Sequence, residues 1–451
     1  MARPLDTIAA LATPAGVSAI AVVRVSGVEA PRIVRELVGS EARPRTARRT
    51  DYRDRAGALV DDVLLTFFPE PRSYTGEPVL EVSCHGNPFI AQRILEDLFT
   101  RGCRPAEPGE FTRRAFLNGR MDLSQAEAVM DVISARSERA LAAAHRQLRG
   151  ALGRHMRELT DGLVGAAAAV EAYIDFPDED LPPENKASVR RTLEGILEAS
   201  SRLLATRHYG DLLRDGVRTV IAGEPNVGKS SLLNRLVGRD RAIVSPEPGT
   251  TRDFIEERVV LGPHCLRLVD TAGLNPAPGP IERLGIEKTV ECIDESDIII
   301  LVLDATRPTP PIFPGIAQRL TPGRAIVALN KTDLLRGPPP KLQSLGISAV
   351  PVSALTGEGI AELRSELLRR ADGLVPDAAE DAVAINARHA RALGEANACL
   401  SQALEKLRTG APPELLASDL RGALNAFGEV SGSIDNEQVL DRLFATFCIG
   451  K

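Results

Sequence analysis

Apolar positions in the first 118 residues fall into short runs of changing period. Ile20–Val25 and Val79–Val82 have strand length and composition, while Phe89–Phe99 repeats its apolar residues at helical spacing, so an α+β region is predicted here. Between them, Glu41–Arg55 carries many arginines and almost no apolar side chains and reads as a solvated loop. From Leu123 the period changes to helical. Ser124 with Glu127 has the spacing of a capping box, and an Ala-, Leu- and Arg-rich run extends to about Tyr173. Leu141, His145, Leu148 and Leu152 recur on one predicted helix face, where His145 reads as packing or snorkelling rather than as a ligand. Acidic and proline residues interrupt the helix at Asp175–Pro183; Ala187–Leu213 and residues 387–447 are helical again.

A different composition lies between the helical stretches. Val217–Ala222, Arg258–Leu261, Leu266–Asp270, Ile298–Asp304, Ala325–Asn330 and Ala349–Ser353 read as strands alternating with helices. The predicted organisation is a multidomain α/β chain: an N-terminal α+β domain over 1–118, a helical domain over 119–213 and 376–451, and an α/β domain over 214–375 inserted into it.

Composition narrows this picture only slightly. A length of 451 residues exceeds one core and suits about three domains. A net charge of -6 argues against a protein that holds nucleic acid by bulk electrostatics, though it permits a local basic surface. No apolar run has membrane-span length, and no targeting segment is recognisable at the N-terminus. Cys84, Cys103, Cys265, Cys292, Cys399 and Cys448 form no CxxC pair, so neither a zinc site nor a disulfide framework is expected, and a cytoplasmic location is.

The inserted region carries the chemistry. Gly223-Glu224-Pro225-Asn226-Val227-Gly228-Lys229-Ser230 fits G-x-x-x-x-G-K-S between a predicted strand and a predicted helix, Ser231–Val237. The glycines let backbone N–H groups curl around phosphates at a helix N-terminus. Lys229 neutralises the β- and γ-phosphates, and the Ser230 hydroxyl ligates Mg²⁺. Gly223, Asn226, Val227, Gly228, Lys229, Ser230 and Ser231 are thus the candidate phosphate-loop ligands. Thr251, in Gly249-Thr250-Thr251-Arg252-Asp253, is a candidate switch residue that completes the Mg²⁺ shell and senses the γ-phosphate. Asp270-Thr271-Ala272-Gly273 supplies the second metal-side element, Asp270 acting through water and Gly273 near the γ-phosphate. Asn330-Lys331-Thr332-Asp333 ends a strand, where the Asp333 carboxylate can accept from guanine N1–H and N2–H₂, a pair that adenine lacks. Ser353-Ala354-Leu355 offers a backbone N–H to the guanine oxygen. All these elements in this order predict a GTP site.

Two positions stay open on local sequence. Leu274 stands where Ras-like enzymes place a water-orienting glutamine, so another polar group must act; Glu282, beyond the Pro/Gly-rich Asn275–Pro280, is the candidate, or else a solvated residue opening a helix. Asn226 can help hold a monovalent cation beside the β-phosphate with backbone oxygens of Ser245 and Glu247, or it can simply stabilise the loop.

With Phe447-Cys448-Ile449-Gly450-Lys451, the whole chain resembles the MnmE (TrmE) family of bacterial tRNA uridine-modification GTPases. The resemblance also rests on Val23-Arg24-Val25-Ser26-Gly27, Tyr74-Thr75-Gly76-Glu77, Leu80-Glu81 with His85-Gly86, Pro108–Gly119, Asp122–Ala128 and Asp175-Phe176-Pro177. It implies a Ras-like G domain and an N-terminal dimerisation domain that binds a tetrahydrofolate derivative, 5-formyl or 5,10-methylene, through Arg24, Glu81, Arg120 and Lys451. It implies K⁺ at Asn226, Ser245, Glu247 and Thr250, promoting G-domain dimerisation and hydrolysis, and Glu282 as the water-orienting glutamate. It further implies a homodimer that joins the FAD protein MnmG in a heterotetramer and adds an aminomethyl or carboxymethylaminomethyl group at C5 of the wobble uridine of certain tRNAs. Cys448 matches the family's C-terminal cysteine, with a chemical role or a small buried one. Arg120 stands where the family commonly has Lys, Asn275 where arginine is common, and Cys84 and Asn87 are atypical around His85-Gly86.

Rival functions are a ribosome-assembly GTPase, which shares the Pro-Asn-Val-Gly-Lys-Ser loop but usually adds an RNA-binding module, and a folate aminomethyltransferase with a regulatory G domain.

Overall fold

Six strands near the N-terminus form one sheet: β1 (Thr7–Leu11), β2 (Ile20–Ser26), β3 (Arg48–Arg53), β4 (Leu59–Phe68), β5 (Val79–His85) and β6 (Cys103–Pro105). The structure, a computed structural model, describes residues 6–41, 43–175, 183–238, 255–270, 289–308, 312, 314–340, 346–375, 383–432 and 437–450. The strand order is β3-β4-β5-β2-β1-β6, antiparallel throughout except for the parallel pair β1–β6. Alternation decides which face is covered. Val23, Val25, Leu80 and Val82 point into a core with Ile33 and Val34 of α1 (Ala30–Val38) and Ile94 and Leu98 of α2 (Pro88–Thr100). Asn87, atypical by sequence, caps α2: its side chain accepts from the Phe89 N–H at 2.9 Å. The equally atypical Cys84 is a buried core residue.

The arginine-rich stretch 41–55 differs from its reading as a loop. Residues 48–53 are strand β3, at the sheet edge, because Tyr52 is fully buried and donates through its hydroxyl to Asp97 at 2.8 Å. One anchored aromatic in an otherwise polar run is enough to hold an edge strand, which needs no apolar alternation of its own.

The helical run divides more than its composition suggests. After α3 (Glu110–Leu117) come α4 (Leu123–Ser134), α5 (Glu138–Leu148), α6 (Ala151–Asp175), α7 (Pro183–Ala205) and α8 (Arg207–Asp215). Ser124 lies inside α4 rather than at its cap. The reciprocal cap is made by Asp122 and Gln125: Gln125 N–H donates to Asp122 Oδ1 at 2.8 Å, and Asp122 N–H to Gln125 Oε1 at 3.0 Å. Nor is the Leu141/His145 face the buried one on α5. Ala140, Ala144 and Gln147 are buried there, while His145 and Leu141 are exposed.

The second sheet follows the order β12-β11-β10-β7-β9-β8. Its strands are β7 (Val217–Gly223), β8 (Ile255–Leu261), β9 (His264–Asp270), β10 (Ile298–Asp304), β11 (Ala325–Asn330) and β12 (Ala349–Pro351); only β8–β9 is antiparallel. β10 and β11 are buried along their whole length, as expected of central parallel strands covered on both faces. Helix α9 (Lys229–Val237) and helix α10 (Ile360–Gly373) pack into the core of one face through Leu232, Leu236, Leu363 and Leu367. This is a Ras-like α/β sheet with its phosphate loop after the first strand. Helices α11 (Ala387–Thr409), α12 (Pro413–Ser431) and α13 (Glu437–Ala445) complete the chain.

Contacts divide the chain into two units. One comprises Met1–Met130, Leu148–Thr160 and Leu424–Lys451; the other comprises Asp131–Gln147 and Asp161–Ala423. Among the described residues, no helix is long and apolar enough to cross a membrane.

Candidate nucleotide and folate sites

In the second unit the ends of β7, β9, β10 and β11 come together around the start of α9. β7 ends at Gly223, and residues 224–228 lead into Lys229 at the first turn of α9. Gly228 has φ 97°, and a Cβ there would collide with the Asn330 side-chain amide, so the loop can pass beneath the β11 end only with glycine. Asn226 also takes a left-handed conformation, φ 63°, which asparagine tolerates better than most residues. Its side-chain amide makes no hydrogen bond among the described residues.

Lys229 is buried, and its Nζ donates to the carbonyls of Gly223 (3.2 Å) and Glu224 (2.9 Å). Burial lowers its pKa, with the Asp270 carboxylate opposing. A phosphate at the loop would restore a counter-charge to this ammonium. Ser230 Oγ donates to Asp270 Oδ2 at 2.6 Å, placing the predicted Mg²⁺ ligand against the carboxylate predicted to act through water. Asp270 Oδ1 is buried and has no hydrogen-bond partner among the described residues. A buried, unpartnered carboxylate oxygen beside a hydroxyl fits a hard divalent cation that keeps several waters and phosphate oxygens.

The base side of the pocket is built by side chains that bind backbone. Asn330 Nδ2 donates to the Val227 carbonyl at 2.7 Å, and its Oδ1 accepts from the Ala354 N–H at 3.0 Å. Asp333 Oδ1 accepts from Ser353 Oγ at 2.6 Å, and Lys331 Nζ pairs with Asp304 Oδ2 at 2.7 Å. Burial pushes the Asp304 carboxyl up, but bonds from Lys331 and Thr306 outweigh it and hold the group below the usual carboxylate range. Gly228, Arg235, Asn330, Lys331, Asp333 and Ala354 are among the residues lining a pocket of about 660 Å³. Arg235 was invisible in the sequence. From the last turn of α9 it donates to the carbonyls of Ala354 (3.1 Å) and Leu355, fixing the loop that presents the Ala354 N–H. No spacing rule relates it to a loop 119 positions downstream.

Thr251, Thr250, Ser245 and Glu247, as well as Thr271, Ala272, Gly273 and Glu282, lie outside the described residues, as does Lys451.

In the first unit, Arg24 of β2 and Glu81 of β5 are register partners on the sheet face opposite α1 and α2. Arg24 Nε and Nη2 donate to Glu81 Oε1 at 3.0 and 2.9 Å. The guanidinium also lies over the rings of Tyr74 (5.4 Å) and Phe111 (5.7 Å) and donates to the Gly450 carbonyl at 3.4 Å. Burial pushes the Tyr74 hydroxyl up, and it shares a 2.8 Å hydrogen bond with Thr112. The C-terminal segment is seated by an antiparallel bridge between Pro108 and Ile449 and by the Gly109 N–H donating to the Cys448 carbonyl at 3.3 Å. Gly450 has φ 94°, and any Cβ there would strike the Leu11 carbonyl. Cys448 is exposed, which removes the reading of it as a small buried residue. Arg120 is exposed, its stem lying over Gly76. On the same helix as Phe111, Arg114 is 1% exposed and pairs with Asp6 (2.9 Å), Glu110 (2.8 Å) and Glu77 (3.2 Å). Glu81 Oε2 has no hydrogen-bond partner among the described residues. Aromatic walls, a fixed cation and an available carboxylate oxygen fit a flat, amino-bearing, anionic ligand.

Comparison with known proteins gives the family. A family model described as the MnmE helical domain matches residues 123–448, and one described as the GTP-binding protein TrmE N-terminus matches residues 7–120. The tRNA modification GTPase MnmE of Opitutus terrae is 57% identical over 448 residues, covering 99% of each chain. That of Akkermansia muciniphila is 46% identical over 456 residues, covering 100% of each. Among solved structures, the G domain of the T. maritima FeoB iron transporter aligns at 27% identity over 34% of this chain and 98% of that one, with a TM-score of 0.27, and bears no weight in the assignment. The two family models and the full-length relatives carry it: the chain belongs to the MnmE family of tRNA modification GTPases and is a GTP hydrolase acting in tRNA modification.

Proposed function

We propose that this chain is a K⁺-activated GTPase that works as a homodimer with the FAD protein MnmG in the cytoplasm. Together they add an aminomethyl or carboxymethylaminomethyl group at C5 of the wobble uridine of certain tRNAs, using a tetrahydrofolate one-carbon unit. The observation that carries the folate part is the Arg24–Glu81 pair set between Tyr74 and Phe111 and closed by the Gly450 carbonyl. Arg24 and Arg120 suit the ligand's carboxylates, with Lys451 as a third cation, and the Glu81 oxygen suits the amino edge of a pterin. Bound there, the folate would supply the one-carbon unit.

In the G domain, Ser230 and Thr251 would ligate Mg²⁺, Asp270 would act on it through water, and Lys229 would neutralise phosphate charge. Asp333 and the Ala354 N–H select guanine. Asn226, with Ser245, Glu247 and Thr250, holds K⁺, which supplies positive charge beside the β-phosphate. Glu282 orients the attacking water, a task Leu274 cannot perform.

The deciding experiment is nucleoside mass analysis of bulk tRNA from cells with and without the gene. Loss of the C5-aminomethyl-type wobble uridines is expected; their persistence at normal levels, with no second copy of the gene, would sink the assignment. Nothing in the site favours ribosome assembly.

A further inference from the structure

The arginines around β3 remain without a role in the sites above. Arg43, Arg45, Arg48, Arg49, Arg53 and Arg55 lie on this strand and its flanks, and all are exposed. They divide into two groups. Arg49 pairs with Asp62, Arg53 with Asp51 (2.9 Å), and Arg55 donates to the Thr100 carbonyl at 2.8 Å. Arg43, Arg45 and Arg48 make no ion pair among the described residues; nor does Arg55, but its guanidinium is drawn to that carbonyl at the end of α2.

A further unpaired arginine joins the first three from another turn. Arg45 donates through its guanidinium to the Arg72 carbonyl at 2.6 Å, and exposed Arg72 likewise lacks a carboxylate partner among the described residues. Arg48 is held by Ser40 Oγ at 3.0 Å. Arg45 also takes a left-handed backbone, φ 56°, fixed by its N–H donating to the Phe67 carbonyl at 2.8 Å. A freely solvated loop would relax out of that conformation.

Edge strands often carry charge to discourage strand addition, and one or two charges of either sign do that. That purpose does not call for four arginines without carboxylates, one of them brought in from the 69–72 turn. In a chain of net charge -6, such a local excess of positive charge is a placed feature. Guanidinium forks match phosphate oxygens. Tyr52, the aromatic of this strand, is fully buried and offers no face for base stacking, so the edge suits a nucleic-acid backbone rather than its bases.

We infer that Arg43, Arg45, Arg48 and Arg72 form a docking edge for the phosphate backbone of RNA, the tRNA substrate in particular. This rests on the reading that the chain itself engages tRNA.

The test is fluorescence anisotropy of labelled bulk tRNA against the full chain across a KCl series. The compared variants are the quadruple Arg43→Gln/Arg45→Gln/Arg48→Gln/Arg72→Gln and the control pair Arg49→Gln/Arg53→Gln. The quadruple should bind about tenfold or more weakly at low salt, with a log–log salt slope shallower by about 3. The control pair should keep the parent slope, and GTP turnover by the quadruple should equal that of the parent, reporting an intact fold. Equal slopes for parent and quadruple overturn the inference. So does a quadruple that loses phosphatidylserine-vesicle binding but keeps tRNA binding, which would assign the edge to a membrane surface. Absence of tRNA binding by the parent also overturns it, while the nucleoside test of the modification assignment stands independently.

Discussion

Asn330 donates to the Val227 carbonyl at 2.7 Å, tying the end of the base-reading strand directly to the phosphate loop. Its other amide atom accepts from the Ala354 N–H, so one side chain fixes the 223–230 loop relative to the loop proposed to contact guanine. Asn330→Ala removes two buried hydrogen bonds at about 1 kcal/mol each and leaves their backbone partners unsatisfied. Affinity for a fluorescent GDP should fall by about ten- to a hundredfold. An affinity unchanged from the parent would show that the loop holds its shape without this clamp.

Arg24→Ala should abolish folate binding measured by calorimetry, because it removes the cation, both bonds to Glu81 and the stacking on Tyr74 and Phe111. Arg24→Lys keeps charge but not the fork, so it should bind detectably yet weakly. GTP turnover should be unaffected in both. Parent-like folate affinity in Arg24→Ala would remove the site assignment.

Glu282→Ala should slow single-turnover GTP hydrolysis by about a hundredfold or more, as expected for loss of a water-orienting group. Nucleotide affinity should stay at the parent value. Undiminished turnover would return Glu282 to a solvated surface residue and leave water activation to another group.

The His264 ring is buried in the second unit, with Nε2 2.9 Å from Asp372 Oδ1, an oxygen that also pairs with Arg139 at 3.1 Å. Burial lowers its pKa; the Asp372 hydrogen bond opposes this and Arg139 adds to it. The unfolded chain, with an ordinary His pKa of about 6.5, therefore takes up this proton first as pH falls. Stability from this group is present above about pH 6.5 and declines as pH drops toward the folded-state value. Melting curves between about pH 5 and 7.5 should show a decline that His264→Gln flattens. Parallel pH profiles for the two proteins would exclude this histidine as its source.

The G-domain strands were readable because parallel strands covered on both faces are continuous apolar runs, as in Ile298–Leu303 and Ala325–Leu329. The nucleotide motifs were readable because phosphates impose glycine and lysine at fixed spacing. β3 was not, since an edge strand anchored by Tyr52 alone carries no alternation. On α5 the sequence favours leucine as the inner face, whereas the close-packed side is alanine and Leu141 stands outside. Arg235 escaped notice as well, since its partners are backbone carbonyls far along the chain; for Arg114 only the Glu110 pair, four residues away, has a local pattern, and Asp6 and Glu77 do not.

Arg24 and the Gly450 carbonyl that it binds are separated by 426 positions. During synthesis the N-terminal sheet can therefore form long before the segment that closes over Arg24 has emerged from the ribosome. A chain stopped before residue 450 would hold a folded 223–230 loop but lack the carbonyl that Arg24 binds. The Arg24 site therefore takes its full form only after residue 450 has been made.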